Sequence, residues 1–171
     1  MTRRPLARTL AALKRATYRG GRPGALMRLV NRLDALLYGA GRLSPRNGAV
    51  LRVTGRGSGE VTPVPVAVAS WRGAEYLVSM LGPEANWVRN VRAAGGAAVL
   101  RRRGRDTPVL LEEVPPEGRA EILRRYLAAA PGARPHLGLG PAAPPAEFRR
   151  IAPRHPVFRI HLRVPEHPAG A

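Results

Sequence analysis

Residues 49–80 read AVLRVTGRGSGEVTPVPVAVASWRGAEYLVSM, and this stretch decides the fold of the chain. Its apolar residues fall into three short runs that are rich in β-branched side chains and are separated by glycine turns, which is typical of strands. We predict these strands at 49–54, 61–70 and 74–80. Because proline cannot donate a hydrogen bond within a sheet, Pro63 and Pro65 predict that the second strand is an edge or is bulged there.

The remaining sequence continues the pattern of hairpins with helices between them. We predict a helix from about Pro83 to the glycines at 95–96, strands at 97–102 and 109–114, a helix at 117–129, a proline-rich loop at 131–145 and a strand at 157–164. Closing such hairpins into a barrel removes exposed strand edges. We therefore predict an α+β fold, a mostly antiparallel β-barrel of about six strands with flanking helices.

The length of 171 residues fits one such domain with short appendages. We place the barrel at 48–164, a helical extension at 1–47 and a tail at 165–171. Within the extension, Leu6, Leu10 and Leu13 share one helical face and arginines occupy the opposite face, which predicts a basic amphipathic helix.

Charge alone suggests a nucleic-acid partner, since the chain carries a net charge of +18. All but one of the 29 basic residues are arginine, however, and two thirds of the excess charge falls within residues 1–56. We therefore expect no nucleic-acid partner. The extension suggests peripheral association of residues 1–46 with an anionic membrane surface; the alternative is that these helices pack on the barrel.

Several chemistries lack support in the sequence. There is no cysteine, which excludes disulfides, thiol nucleophiles and cysteine-ligated metals. The four histidines lack metal-ligand spacing, so we expect no metal, and no serine lies in a hydrolase motif. No signal-peptide pattern opens the chain, so a cytoplasmic location is the default expectation.

Two short segments carry candidate binding chemistry. The turn at 55–59 has three glycines that expose backbone N–H groups, and with Arg56 and Ser58 it is suited to an anion; a plain hairpin turn is the alternative. Trp87 and Asn90 share one side of a predicted helix, where stacking and an amide hydrogen bond would orient a flat ring. The alternative is that Trp87 only anchors the core.

Taken in order, VTGRGSGEVTPVPV, WRGAEYLVSMLG and ANWVRNVRAAGGAAV resemble the deazaflavin-dependent nitroreductase family. These are split β-barrel proteins related to the oxidoreductases that bind flavin mononucleotide (FMN). The similarity covers about residues 48–164. It implies binding of reduced coenzyme F-420 and transfer of hydride to a small-molecule acceptor such as a quinone, a nitro compound or another electron-poor molecule.

The same resemblance implies roles for individual residues. The cofactor would be held by the turn and by the segments that follow it, through Arg56, Gly57, Ser58, Gly59, Pro65, Val66, Ser79, Met80, Trp87 and Asn90. Ser79 would lie near the reacting face. His136, one of two polar side chains in the region 130–136, is the second candidate catalytic residue. Gly57 and Met80 stand where family members often carry lysine.

Two alternatives stay open from the sequence. One is an oxidoreductase that uses FMN or flavin adenine dinucleotide (FAD) in place of the deazaflavin. The other is a module that binds or stores a flavin, a deazaflavin or a haem-related molecule without catalysis. By the same resemblance we expect a homodimer, and a monomer is the alternative.

Overall fold

The computed structural model describes residues 47–163, so the predicted N-terminal extension and C-terminal tail lie outside the described residues. Six antiparallel strands close into a barrel in the order β1-β2-β3-β6-β5-β4. The strands are β1 (Gly48–Thr54), β2 (Val61–Trp71), β3 (Ala74–Val78), β4 (Ala97–Arg102), β5 (Arg105–Glu113) and β6 (Val157–Leu162). The predicted α+β split β-barrel is confirmed.

Strand β2 is shared between two neighbours, and this creates an open edge. Its first half, Val61–Ala67, pairs with β1, whereas Val68–Trp71 pairs with β3. Among the described residues, no strand pairs with the other edge of that first half. This explains how Pro63 and Pro65 are accommodated inside the strand, as the sequence predicted for an edge.

The direction of the proline carbonyls follows from the register of β1 and β2. The backbone N–H of Val68 donates to the Asn47 carbonyl across this pair at 2.8 Å. Successive residues of a strand direct their backbone N–H and C=O groups to opposite edges. Val68 directs its groups toward β1, and Pro63 and Pro65 lie an odd number of residues from Val68, so the backbone groups of both prolines face away from β1. Their carbonyls therefore point to the open edge, where neither proline offers an N–H.

Two apolar cores pack against opposite faces of the sheet. Val64, Val66 and Val68 point into the barrel, which is also filled by Leu51, Leu77, Leu100, Trp87, Val91 and Phe158. Ala67 and Ala69 point outward, and their small side chains lie in the second core under the helices. The alternation along β2 thus places one face inside the barrel and the other beneath a helical layer.

The helices occupy the corners between strands. They are α1 (Asn86–Ala93), α2 (Ala120–Ala129), α3 (Arg134–Leu137) and α4 (Pro145–Ile151), with single 3-10 turns at Pro116–Gly118, Pro131–Ala133 and Ala152–Arg154. None of the helices between residues 47 and 163 has both the length and the apolar composition needed to span a bilayer.

Helix α1 begins at Asn86, three residues later than the predicted start at Pro83. The delay arises because the preceding segment folds into a turn, in which Gly82 adopts a φ of 84° and its carbonyl accepts a hydrogen bond from the Ser79 hydroxyl. After α1, Gly96 has a φ of 86°, and a Cβ there would lie 2.5 Å from the Leu111 carbonyl oxygen. That position therefore requires glycine.

The predicted proline-rich loop is partly helical. It contains α3, and α4 starts at its end with Pro145 at the first helical position, which needs no N–H. Helix α4 was absent from the sequence prediction. Its burial of Phe148 and Ile151 against α2 explains why a segment of only seven residues is helical.

A buried arginine ties the helical layer to the sheet. The Arg119 guanidinium donates to the carbonyls of Val114 at 2.7 Å and Ala152 at 3.1 Å, and to the Glu113 carboxylate at 3.1 Å. These partners lie at the C-terminal end of β5 and directly after α4. One side chain thus fixes the start of α2 against two segments that are distant in sequence.

Candidate functional site

A cavity of about 320 Å³ lies along the open edge of β2. Its walls are the turn after β1, the N-terminal half of β2, the segment after β3 and one side of α1. The volume falls within the range of small-molecule and cofactor sites. The lining residues are Gly55, Arg56, Gly57, Ser58, Thr62, Val64, Pro65, Val66, Ala67, Val78, Met80, Leu81, Ala85, Asn86, Trp87, Asn90 and Tyr126.

The glycine-rich turn forms one end of this cavity and is held by its own hydrogen bonds. Gly55 N–H donates to the Glu60 carbonyl at 2.8 Å, and Gly59 N–H donates to the Gly55 carbonyl at 2.8 Å. The Ser58 hydroxyl accepts from the Glu60 N–H at 3.2 Å. Gly57 and Ser58 line the cavity, whereas Gly59, with a φ of 70°, serves to close the turn.

Arg56 is joined to α1 by Asn90. The Asn90 amide oxygen accepts from Arg56 Nη1 at 2.8 Å and from the Arg56 backbone N–H at 3.3 Å. Asn90 is buried, so this contact fixes both the turn and the direction of the guanidinium. The sequence predicted an amide facing a ring, but it did not reveal that the amide oxygen would hold Arg56, 34 residues away.

Trp87 belongs to the barrel core and to the cavity wall at once. It is only 7% exposed, and its ring lies 5.5 Å from that of Phe158 at an interplanar angle of 58°. It also lines the cavity. The two interpretations offered by the sequence, core anchor and ring-facing residue, are therefore compatible in one side chain.

Pro65 and Val66 line the cavity from the open edge of β2, together with Thr62 and Val64. Valine and proline side chains make this wall apolar. At the open edge, Pro63 and Pro65 present their carbonyl oxygens but no N–H groups, because proline has none. This stretch can therefore accept hydrogen bonds but cannot donate them, and we call it the acceptor edge. A flat apolar ring with N–H donors on its rim matches such a wall.

Ser79 does not line the cavity, although its neighbour Met80 does. The Ser79 side chain is buried, and its hydroxyl donates to the Gly82 carbonyl at 2.7 Å. Its own carbonyl lies 3.1 Å from His155 Nδ1. A carbonyl can only accept, so Nδ1 carries the hydrogen, and burial lowers the pKa of His155.

His136 lies outside the first cavity and lines a second one of about 630 Å³. This second cavity is formed by α3, the end of α4 and the segment after β3. Met80 and Leu81 line both cavities, so the two are neighbours. The structure thus places eight of the ten predicted cofactor residues around one cavity, all except Gly59 and Ser79, and it places His136 beyond the Met80–Leu81 wall of that cavity.

Tyr126 is a lining residue from the helix predicted at 117–129, and the sequence did not mark it as a site residue. It is buried, and burial raises the pKa of its hydroxyl, so the group is neutral. The only sign in the sequence was the polar hydroxyl of this tyrosine on an otherwise apolar helix face. That signal is weak, because such tyrosines are also common in cores.

Arg56 supplies the charge of the first cavity. Among the residues in the range 47–163 that line it, Arg56 carries the only formal charge and no carboxylate is present. Together with the N–H groups of the glycine turn, it makes one end of an otherwise apolar slot attractive to an anion. The site therefore suits a molecule with a flat, largely apolar ring and an anionic arm.

No protein-family model matches the sequence, and no curated protein matches it. Among solved structures, the chain is similar to an F-420-H2-dependent reductase, FDR-A, with 22% identity over 68% of this chain and 95% of that chain, at a TM-score of 0.47. A structure described as a domain-swapped dimer has 17% identity over 78% of this chain and 94% of that chain, at a TM-score of 0.49.

A haem-binding protein from Mycobacterium smegmatis is also similar, with 15% identity over 83% of this chain and 52% of that chain, at a TM-score of 0.46. At these identities the likeness concerns the fold. What each of these proteins binds is a property of that protein.

Proposed function

We propose that this chain is an oxidoreductase that binds reduced coenzyme F-420 in the first cavity and uses it to reduce a quinone, a nitro compound or another electron-poor acceptor. The observation that carries the proposal is the acceptor edge of β2 beside an apolar slot whose charge is supplied by Arg56. The sequence resemblance around the glycine turn, Ser79 and the Trp87/Asn90 pair supports the same cofactor.

The residues of the cavity fit the parts of this cofactor. The apolar wall of β2 and the ring of Trp87 suit the flat deazaflavin, and the Pro65 carbonyl suits an N–H group on its rim. Arg56, oriented by Asn90, suits the phosphate and acidic arm. When bound, the reduced deazaflavin supplies the hydride.

The protein side chains have three tasks in this proposal. Trp87 and the β2 wall orient the ring and exclude water from one of its faces. Arg56 holds the anionic arm, so that the ring occupies the slot in one direction. Ser79 acts as a positioning residue, because its hydroxyl fixes the turn that presents Met80 and Leu81 to the cavity.

Titration of the purified protein with F-420, followed by tryptophan fluorescence, tests the proposed cofactor. We expect a saturable change, because Trp87, one of the two tryptophans of the chain, lines the cavity. A deazaflavin that lacks the phosphate and tail is the matched ligand control. The absence of any saturable change with F-420 would refute the proposal.

The FMN or FAD alternative is tested on the same preparation. A yellow protein that releases flavin on denaturation supports it, whereas a colourless protein that saturates with F-420 supports the deazaflavin. Steady-state assays with menadione and a nitroaromatic compound separate the enzyme from a non-catalytic binding module. A module binds the cofactor but does not oxidise it when these acceptors are added.

Two proposals about partners extend from the sequence. The first is that residues 1–46 associate with anionic membranes, which is tested by sedimenting liposomes with the full chain and with a chain lacking those residues; equal binding refutes it. The second is that the chain forms a homodimer, which light scattering tests directly. We also propose that the chain is located in the cytoplasm.

A further inference from the structure

The second cavity has an unbalanced positive charge. Its ionisable lining residues are His136, Arg150, Arg154 and His155, and no carboxylate from the part of the chain between 47 and 163 lines it. Arg150 is neutralised by Glu147, whose carboxylate accepts from its guanidinium at 2.6 Å. Arg154 makes no ion pair with any of the described residues. The unbalanced charge therefore lies on Arg154, beside His136.

His155 contributes to this cavity as a neutral side chain. Its Nδ1 hydrogen is directed to the Ser79 carbonyl, and burial, together with the positive charge of the nearby Arg154, lowers its pKa. The groups that face it are thus the Ser79 carbonyl on one side and the basic side chains of Arg154 and His136 on the other. An anion in the cavity would offset the repulsion among these basic groups.

An exposed apolar residue lies between the two cavities. Leu81 is 39% exposed and lines both of them, and buried Met80 lines both beside it. A molecule with an apolar ring and an acidic group finds a surface for each part here. The ring can lie on Leu81, next to the first cavity, while the acidic group lies near Arg154 and His136.

We propose that the second cavity binds the anionic group of the electron acceptor, so that the substrate class is an aromatic quinone or nitro compound that carries a carboxylate or sulfonate. The role of this site in catalysis rests on the proposed function, whereas its ability to bind an organic anion does not. For a quinone, the acceptor gains a hydride and a proton to form the hydroquinone, and reduced F-420 is oxidised. Reduced F-420 loses both a hydride and a proton when it is oxidised, so the reaction balances without a further proton donor.

Calorimetric titration of the cofactor-free protein with anthraquinone-2-sulfonate tests the anion site. The neutral 2-hydroxymethylanthraquinone is the matched ligand. The chain contains no cysteine, so neither compound can be lost by addition to a thiol. We expect the sulfonate to bind at least fivefold more tightly than the neutral compound at low salt, and this preference to fall as salt rises.

Two variants with the same charge change locate the site. Arg154→Gln should weaken sulfonate binding at least fivefold and leave the neutral compound unchanged. Arg149→Gln is the control, because Arg149 is exposed in α4 and lines neither cavity. Equal effects of the two variants, or equal affinity for the charged and neutral compounds, would overturn the proposal.

Repeating the titration with F-420 bound distinguishes two sources of the anion. Sulfonate binding that persists assigns the cavity to the acceptor. Competition between the two ligands assigns it instead to the acidic tail of the cofactor and overturns the acceptor class. If F-420 fails to bind while the sulfonate still depends on Arg154, the proposed cofactor is wrong and the anion site stands.

Discussion

At the scale of single residues, the contact between Asn90 and Arg56 connects fold and site. The amide oxygen accepts two hydrogen bonds from the same residue, one from its side chain and one from its backbone. The sequence marks both residues as site candidates. It did not join them, because no local pattern encodes a contact between residues 34 positions apart.

Replacement of Asn90 by alanine should therefore act mainly through Arg56. We expect Asn90→Ala to weaken F-420 binding by about tenfold, and Arg56→Gln by about 10- to 100-fold, since a hydrogen bond to a charged group contributes roughly 1.5–3 kcal/mol. Fluorescence titration of both single variants and the double variant checks this. An additive double variant would contradict the role of Asn90 as a support for Arg56.

Gly96 offers a second test at this scale, on stability. Gly96→Ala places a methyl group 2.5 Å from the Leu111 carbonyl oxygen at a φ of 86°, so both crowding and backbone strain oppose it. We expect a loss of about 2–4 kcal/mol in urea unfolding. Gly104→Ala, with a φ of 82° but open space around it, is the control and should lose only about 1 kcal/mol.

At the scale of elements, the strands and the two longer helices, α1 and α2, were largely predictable, whereas the short helices α3 and α4 were not. The alternation of Val64, Val66 and Val68 with smaller residues specifies a strand by itself. Helix α4 has seven residues and depends on burying Phe148 and Ile151, which the local sequence does not show. The early end of β3 at Val78 is likewise set by the turn that Ser79 and Gly82 form together.

Arg119 joins these elements, and its removal should loosen the helical layer. Arg119→Met retains most of the apolar stem but removes the donors to Val114, Ala152 and Glu113. Because the side chain is only 6% exposed, water cannot replace these bonds in full. We expect a loss of about 2–4 kcal/mol in urea unfolding. Arg125→Met, on the exposed face of α2, should change stability by less than about 0.5 kcal/mol.

At the scale of the whole molecule, acid should destabilise the fold in two steps. Burial lowers the pKa of His155 in the folded state below its ordinary 6.5, so the unfolded chain binds more protons as pH falls through 6.5. The free energy of unfolding should thus decline as the pH falls from 6.5 to the lower pKa that His155 has in the folded state. The Arg92 guanidinium lowers the pKa of Glu113 from 4.5, so the stability that ionised Glu113 contributes is lost only below pH 4.5.

Urea unfolding measured between pH 7.5 and 5 checks the first step. His155→Gln removes the titrating group and should flatten the decline, whereas His161→Gln, on the exposed face of β6, is the control. An unchanged slope in His155→Gln would show that the buried imidazole is not responsible. The slope of one titrating group is at most about 1.4 kcal/mol per pH unit.

The open edge of β2 has one more consequence for the molecule. An unpaired strand edge invites a strand from another chain to add to it, which leads to aggregation. Pro63 and Pro65 remove two of the donors that such an incoming strand would need, on the stretch of β2 that stays unpaired. The same two residues that leave this edge free to receive a small molecule thus also keep it closed to another polypeptide.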